Sequence, residues 1–155
     1  MCIRDRLYSA IYDAWMERRD GEAGIAIQGN MEAELFCEYR EVEESQKKAQ
    51  AVEKLIQKNL GMGAYRDIYY ALLSDDAGKG TAVFQTMQEA RWLKDSRRIM
   101  EHLGNPAVAK VFELRRQVAN EAHCLSLIHI FPGHWKERNR FCSIRFWESL
   151  PWALS

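Results

Sequence analysis

The chain has 155 residues, 22 basic and 22 acidic, and a formal net charge of zero. That length supports one domain rather than two. No run approaches the roughly eighteen apolar residues of a membrane span, and four scattered cysteines do not make a disulfide framework, so a reducing cytoplasm is the expected setting.

The zero charge averages unlike halves. Leu7–Gln46 carries three basic and ten acidic residues, whereas Lys47–His123 carries thirteen and nine. The first half would repel a polyanion, and the later helices could approach one.

Both ends need separate treatment. Met1–Arg6 has the order that ATGTGTATAAGAGACAG, a transposon end used in sequencing libraries, would encode. Leu125–Ile130 has the order encoded by its reverse complement. Residues 1–6 and 124–131 are therefore expected to be adapter scars around a natural domain, residues 7–123, truncated at both ends. Residues 132–155 form a tail of uncertain frame, and the segment from Leu125 onward is expected to add little to the fold. Of the cysteines, only Cys37 lies clear of these segments.

Tyr8, Ile11, Tyr12 and Trp15 stand at i, i+3, i+4 and i+7 and predict a first helix ending near Arg19, stopped by Asp20–Gly24. Ile25–Gln28 and Phe36–Val42 are β-prone and predict a small hairpin or edge strands. Ser45 is placed to cap a helix over Gln46–Leu60 that buries Ala49, Val52, Ile56 and Leu60 and ends at Gly61. Ala64–Ser74 predicts a third helix burying Tyr65, Ile68, Tyr69, Leu72 and Leu73. A fourth runs from Thr81 to Lys94, with a break near Asp95-Ser96. Asn105-Pro106 is a helix start, because Asn caps and Pro suits the first helical position. The helix that follows, to His123, is expected to bury Val108, Val111, Phe112, Val118, Ala119 and Ala122. The expected fold class is mainly α, about five helices with a small β hairpin or edge strands.

Little in this pattern carries chemistry. Gly78-Lys79-Gly80-Thr81 precedes a helix as a phosphate loop would, but it lacks the upstream glycine, the Lys-Ser/Thr pair and the preceding strand, so it reads as an inter-helix turn. No histidine pair has metal spacing, no serine sits in a glycine elbow, and no cofactor is implied. His102, in the last turn of a helix, suits the helix dipole. Tyr70 and Trp92 fall off the apolar stripes and are surface candidates for base stacking. The basic series Arg91, Lys94, Arg97, Arg98, Lys110, Arg115 and Arg116 is denser than elsewhere. Of these, Arg91, Lys94, Arg97, Arg98 and Arg116 are the nucleic-acid candidates, although a solvated helix face is the commoner origin of such a series.

Four stretches in order, Ala10-Ile11-Tyr12-Asp13-Ala14-Trp15, Ile68-Tyr69-Tyr70-Ala71-Leu72-Leu73-Ser74, Asn105-Pro106-Ala107-Val108 and Glu121-Ala122-His123, carry a resemblance. Together they resemble a bacterial domain-of-unknown-function family assigned to DNA metabolism and DNA repair. Its members are encoded beside a radical-SAM DNA modification or repair protein, and some are fused to a uracil-DNA-glycosylase-like domain. The resemblance covers Leu7–His123 and implies an α+β domain in the full family. It also marks Arg116, Glu121 and His123, with Tyr69 and Tyr70, as motif positions of unassigned role. The family continues past its histidine into strands with an Arg-Phe pair; here Cys124–Phe131 interrupts, and Ile144–Glu148 only faintly resembles the missing strand. The cysteine triad of a radical-SAM enzyme and the glycosylase-like domain are absent from this sequence.

The resemblance thus implies an accessory or DNA-binding domain acting with a radical-SAM partner or a glycosylase-like domain, with DNA as a possible ligand and no membrane. Two alternatives stay open. One is a helical partner-docking module without nucleic-acid contact; the other is an enzyme using His123 as acid or base, with Glu121 or Arg116 orienting substrate.

Overall fold

The structure is a computed structural model. It describes residues 3–17, 23–27, 37–127 and 142–147, of which 123–127 and 142–147 by backbone alone. In chain order these are α1 (Ile3–Met16), β1 (Ala23–Ile27), β2 (Cys37–Glu41), α2 (Gln46–Asn59), α3 (Gly61–Leu72), α4 (Lys79–Ala90), a 3-10 helix (Ser96–Glu101), α5 (Pro106–Leu127) and β3 (Cys142–Trp147). The protein is mainly α-helical, as the periodicity predicts.

α1 buries Leu7, Tyr8, Ala10, Ile11 and Ala14; of the stripe marked by the sequence, Tyr8 and Ile11 are buried, while Tyr12 and Trp15 are only half-buried. Its first turn includes Ile3–Arg6, so residues expected to be a scar are helical, and Arg6 Nε meets Glu44 Oε2 at 2.7 Å. α2 buries Ala49, Val52 and Ile56, and Leu60 follows them into the core. Gly61 ends it at φ +88°, a conformation that costs a residue without Cβ little. Ser45 is extended but does not cap with its hydroxyl. Ser9 on α1 holds that corner instead: its Oγ accepts from Ser45 N at 3.0 Å and lies 3.1 Å from Ser45 O.

The break near Asp95 falls as expected, with Asp95 Oδ1 accepting from Arg97 N at 3.1 Å to start the 3-10 helix. Asn105 caps α5, its Oδ1 accepting from Ala107 N at 2.9 Å. The buried stripe of α5 differs from expectation. Ala107, Val108, Val111 and Leu114 are buried, Phe112 and Val118 are half-buried, and Ala119 and Ala122 are exposed. α5 has 22 residues and packs on α3 and α4, which have 12 each, so the longer helix outruns its cover.

Of the two arrangements expected for β1 and β2, a hairpin or edge strands, the structure has the second: the sheet order is β1-β3-β2, both pairings are antiparallel, and β1 and β2 are its edges. Ile144 sits opposite Ile25 on one side and Arg40 on the other. The segment after Leu125 therefore supplies the central strand and is not an appendage. Pairing depends on partners distant in the chain, and local β-propensity specifies neither order nor direction.

α4 reaches this sheet through Gly80 and Thr81. A Cβ on Gly80 would stand 2.8 Å from Ile25 Cγ2 and 2.9 Å from Leu7 Cδ2, so this approach requires glycine. Phe84, Val83, Leu72, Ile68, Ile56, Ile99 and Leu114 complete the core between the sheet and the helices.

Candidate functional site

Helix α3 carries two apolar stripes. Ala64, Ile68, Ala71 and Leu72 face the core. Met62, Tyr65, Arg66, Tyr69 and Tyr70, one turn apart on the other side, line an open depression of about 500 Å³. An isolated surface helix needs only the first stripe, so the second is unspent apolar surface. Met62 is 63% exposed, Tyr70 38%, and Leu73, at the end of the helix, 48%. The expectation that Leu73 is buried is thus corrected, and Tyr65 and Tyr69 are only half-buried.

The tyrosines form a continuous aromatic row. The Tyr65 and Tyr69 ring centroids are 6.4 Å apart and tilted by 39°. Tyr69 and Tyr70 are 6.0 Å apart and nearly perpendicular, at 79°. Both separations suit edge-to-face contact. The Arg4 guanidinium lies 5.6 Å from the Tyr69 centroid, a cation–π distance. Arg66 is exposed among the rings.

Beneath the row, the Tyr65 hydroxyl donates to Glu53 Oε1. Burial and this bond to a carboxylate both raise the Tyr65 phenol above its ordinary value. Tyr8 is fully buried, its hydroxyl has no hydrogen-bond partner, and desolvation pushes its ionisation further upward. Phenols held neutral in this way are poor proton donors and poor nucleophiles near neutral pH. The depression is suited to stacking and cation–π contact and has no acid–base pair of its own.

The basic series does not converge. Arg98 Nη2 pairs with Glu101 at 2.6 Å, and Lys110 Nζ with Asp76 at 2.8 Å. Arg115 Nε stands 3.1 Å from Asp67 Oδ1, a charge contact without hydrogen-bond geometry, and also lies 5.7 Å from the Phe112 ring. The Arg91 guanidinium covers the Trp15 ring at 5.0 Å. Lys94, Arg97 and Arg116 are exposed and make no ion pair among the described residues. Two of the series reach α3: Arg115 at Asp67, and Arg97, whose side chain passes close to Gly61 beside the depression.

Of the motif positions, Tyr69 and Tyr70 share the aromatic row. Arg116 and Glu121 are exposed on α5 and line neither described depression. His123 lies on α5, but its side chain falls outside the described residues. His102 is exposed and follows the 3-10 helix, its N–H donating to Ile99 O. Lys79 and Thr81 of the glycine turn are structural: Lys79 is buried with Nζ donating to Ser74 O at 2.5 Å, and Thr81 bonds Ile25.

Sequence reasoning missed Met62 and Arg66. The available signal was that α3 has more apolar and aromatic positions than one core-facing stripe needs; Tyr65 and Tyr69 were assigned to the core with the rest.

Among the described residues no helix is long and apolar enough to cross a membrane, and no group of His, Cys, Asp or Glu could hold a metal ion. Comparison of the chain with protein-family models, curated proteins and solved structures gives no match.

Proposed function

We propose that this chain is a DNA-repair-associated accessory domain whose α3 face binds single-stranded DNA by stacking unpaired bases on Tyr65, Tyr69 and Tyr70 while Arg66 meets the backbone. The observation that carries the reading is the tyrosine row, half-buried at Tyr65 and Tyr69 and exposed at Tyr70, with a cation among its rings. Aromatic platforms bind bases of any sequence because every base has a π-face, and adjacent cations add phosphate contacts. The radical-SAM neighbour and the glycosylase-like fusion rest on the resemblance of Leu7–His123 alone, and the cytoplasmic setting on the cysteine usage. Duplex DNA is a weaker candidate, since the cations of the later helices are spread and three of them are locally neutralised.

Fluorescence anisotropy with a labelled single strand and its duplex, across a salt series, tests this. The intact chain should prefer the single strand. Tyr70→Ala should weaken binding by about tenfold, within the range for one stacked base. Arg66→Glu should weaken it and flatten the salt dependence. Joint reversal of Arg97, Arg98 and Arg116 to glutamate should have the smaller effect. No binding by the intact chain at low salt would overturn the reading. The stripe, with Met62 and Leu73 both exposed, would then be better read as a partner-docking face.

A further inference from the structure

A second concavity, of about 420 Å³, lies between α4 and the start of α5 and shares no residue with the α3 depression. Gln85, Gln88, Glu89 and Trp92 stand at i, i+3, i+4 and i+7 along one face of α4, extended one turn beyond its end, and Asn105 and Pro106 form the opposite wall. Two features there lack a structural purpose. Trp92 is 77% exposed, the largest apolar side chain on the described surface. Gln88 is only 8% exposed, and its amide nitrogen has no hydrogen-bond partner among the described residues. A buried donor left unmet costs stability, and such groups in native proteins call for an explanation.

Each wall restricts what could fill the groove. The indole face asks for a flat apolar body, Gln88 Nε2 for an acceptor, and the Glu89 carboxylate for a donor. No cation lines the groove, so it has nothing to attract a phosphate. Asn105 Oδ1 already occupies the first N–H groups of α5, which removes the helix start as an anion site. A planar heterocycle with a ring or carbonyl acceptor beside an N–H donor satisfies all three walls. Glutamine and glutamate side chains read such edges on nucleobases, and a volume of this size is within the range of small-ligand sites.

We infer that the α4–α5 groove is a nucleobase pocket in which Trp92 stacks on the ring, Gln88 donates to its acceptor and Glu89 accepts from its N–H. The base is supplied either as a free nucleoside or by a single strand. This site is independent of the α3 stripe and, having no phosphate contact, binds with little dependence on salt, whereas the stripe's affinity falls with it.

Calorimetry and tryptophan fluorescence with adenosine, cytidine and uridine, with a short single-stranded oligodeoxynucleotide, and with ribose 5-phosphate as control test the inference on the full chain. Nucleoside binding with none by ribose 5-phosphate is expected. Binding by nucleosides alone assigns the free source, and binding by the oligonucleotide in a Gln88-dependent manner assigns the strand. Trp92→Ala, at an exposed position that leaves the core untouched, should weaken binding about tenfold or more. Gln88→Leu should abolish it while raising the thermal midpoint by roughly 2–4 °C, because an unmet buried amide is removed. No binding by any nucleoside or strand, equal binding by ribose 5-phosphate, or undiminished binding by Trp92→Ala and Gln88→Leu would each overturn the inference.

Discussion

Thr81 closes the open side of strand β1 at Ile25: Ile25 N–H donates to Thr81 Oγ1 at 2.8 Å, and the same hydroxyl donates to Ile25 O at 3.1 Å. One side chain at the start of α4 thus satisfies both main-chain groups of an edge residue that would otherwise invite another strand. Thr81→Val keeps the shape and removes both bonds, leaving a donor and an acceptor unmet. It should lower stability by about 2–3 kcal/mol. Gly80→Ala, with its Cβ forced against Ile25 and Leu7, should cost about 1–3 kcal/mol by overpacking. Urea unfolding of both variants checks this, and an unchanged midpoint for Thr81→Val would show that β1 does not depend on the latch.

The central position of β3 predicts that the chain does not tolerate loss of its C-terminal part. Ile144→Pro places a residue without N–H in the middle of the sheet, opposite Ile25 and Arg40, and should cost about 3 kcal/mol or more. Deleting residues 125–155 should have a larger effect, removing the strand that pairs with β1 and exposing Ile25 and Ile27. Circular dichroism melts and a hydrophobic dye measure both. A truncated chain that melts like the full one would mean that β3 contributes nothing to the fold.

Tyr8 offers a test with a defined sign. Its hydroxyl is buried and unpartnered, so Tyr8→Phe should be neutral or stabilising near neutral pH, by about 1 kcal/mol at most. Burial raises its ionisation above the ordinary 10.0, with the neighbouring Tyr65 adding to the shift. Above pH 10 the unfolded chain therefore loses this proton first, and stability falls with rising pH. The Phe variant should lose less stability between neutral pH and pH 11 than the parent. Parallel alkaline profiles would show that Tyr8 does not set this limb.

Asp76 sets part of the acid limb. Its hydrogen bond from the Lys110 ammonium, helped by Gly78 N–H and partly offset by burial, holds its carboxyl below the ordinary 3.8. The stability it contributes is present above that value and is lost as pH falls through the folded-state value. Because both partners are about one-third exposed, Asp76→Asn should cost only about 0.5–1 kcal/mol at pH 7. The difference from the parent should shrink below pH 4 and nearly vanish by pH 2. A constant difference across that range would assign the loss to the Gly78 turn rather than to the charge pair.

The sequence by itself determined the helices and several of their ends. The periodicity of Leu7–Trp15 and Ala49–Leu60, the helix end at Gly61, the break near Asp95 and the capping Asn105 with the proline after it are local signals, and each acts within a turn of where it is read; the cap expected of Ser45 is not made by its side chain, because Ser9 on α1 meets that corner. It also marked Tyr70 and Trp92 as surface aromatics, because they fall off the stripes that local packing fills. Only the tertiary structure decided the rest. Strand order and the place of β3 depend on pairing across more than a hundred residues, for which a β-prone segment carries no address. Tyr65 and Tyr69 share the spacing of core residues, and only the position of α3 against α4 and α5 decides which stripe is covered. Gln88 is polar and falls outside the apolar pattern of its helix. Its burial, and the missing partner for its amide, appear only once α5 is laid beside α4.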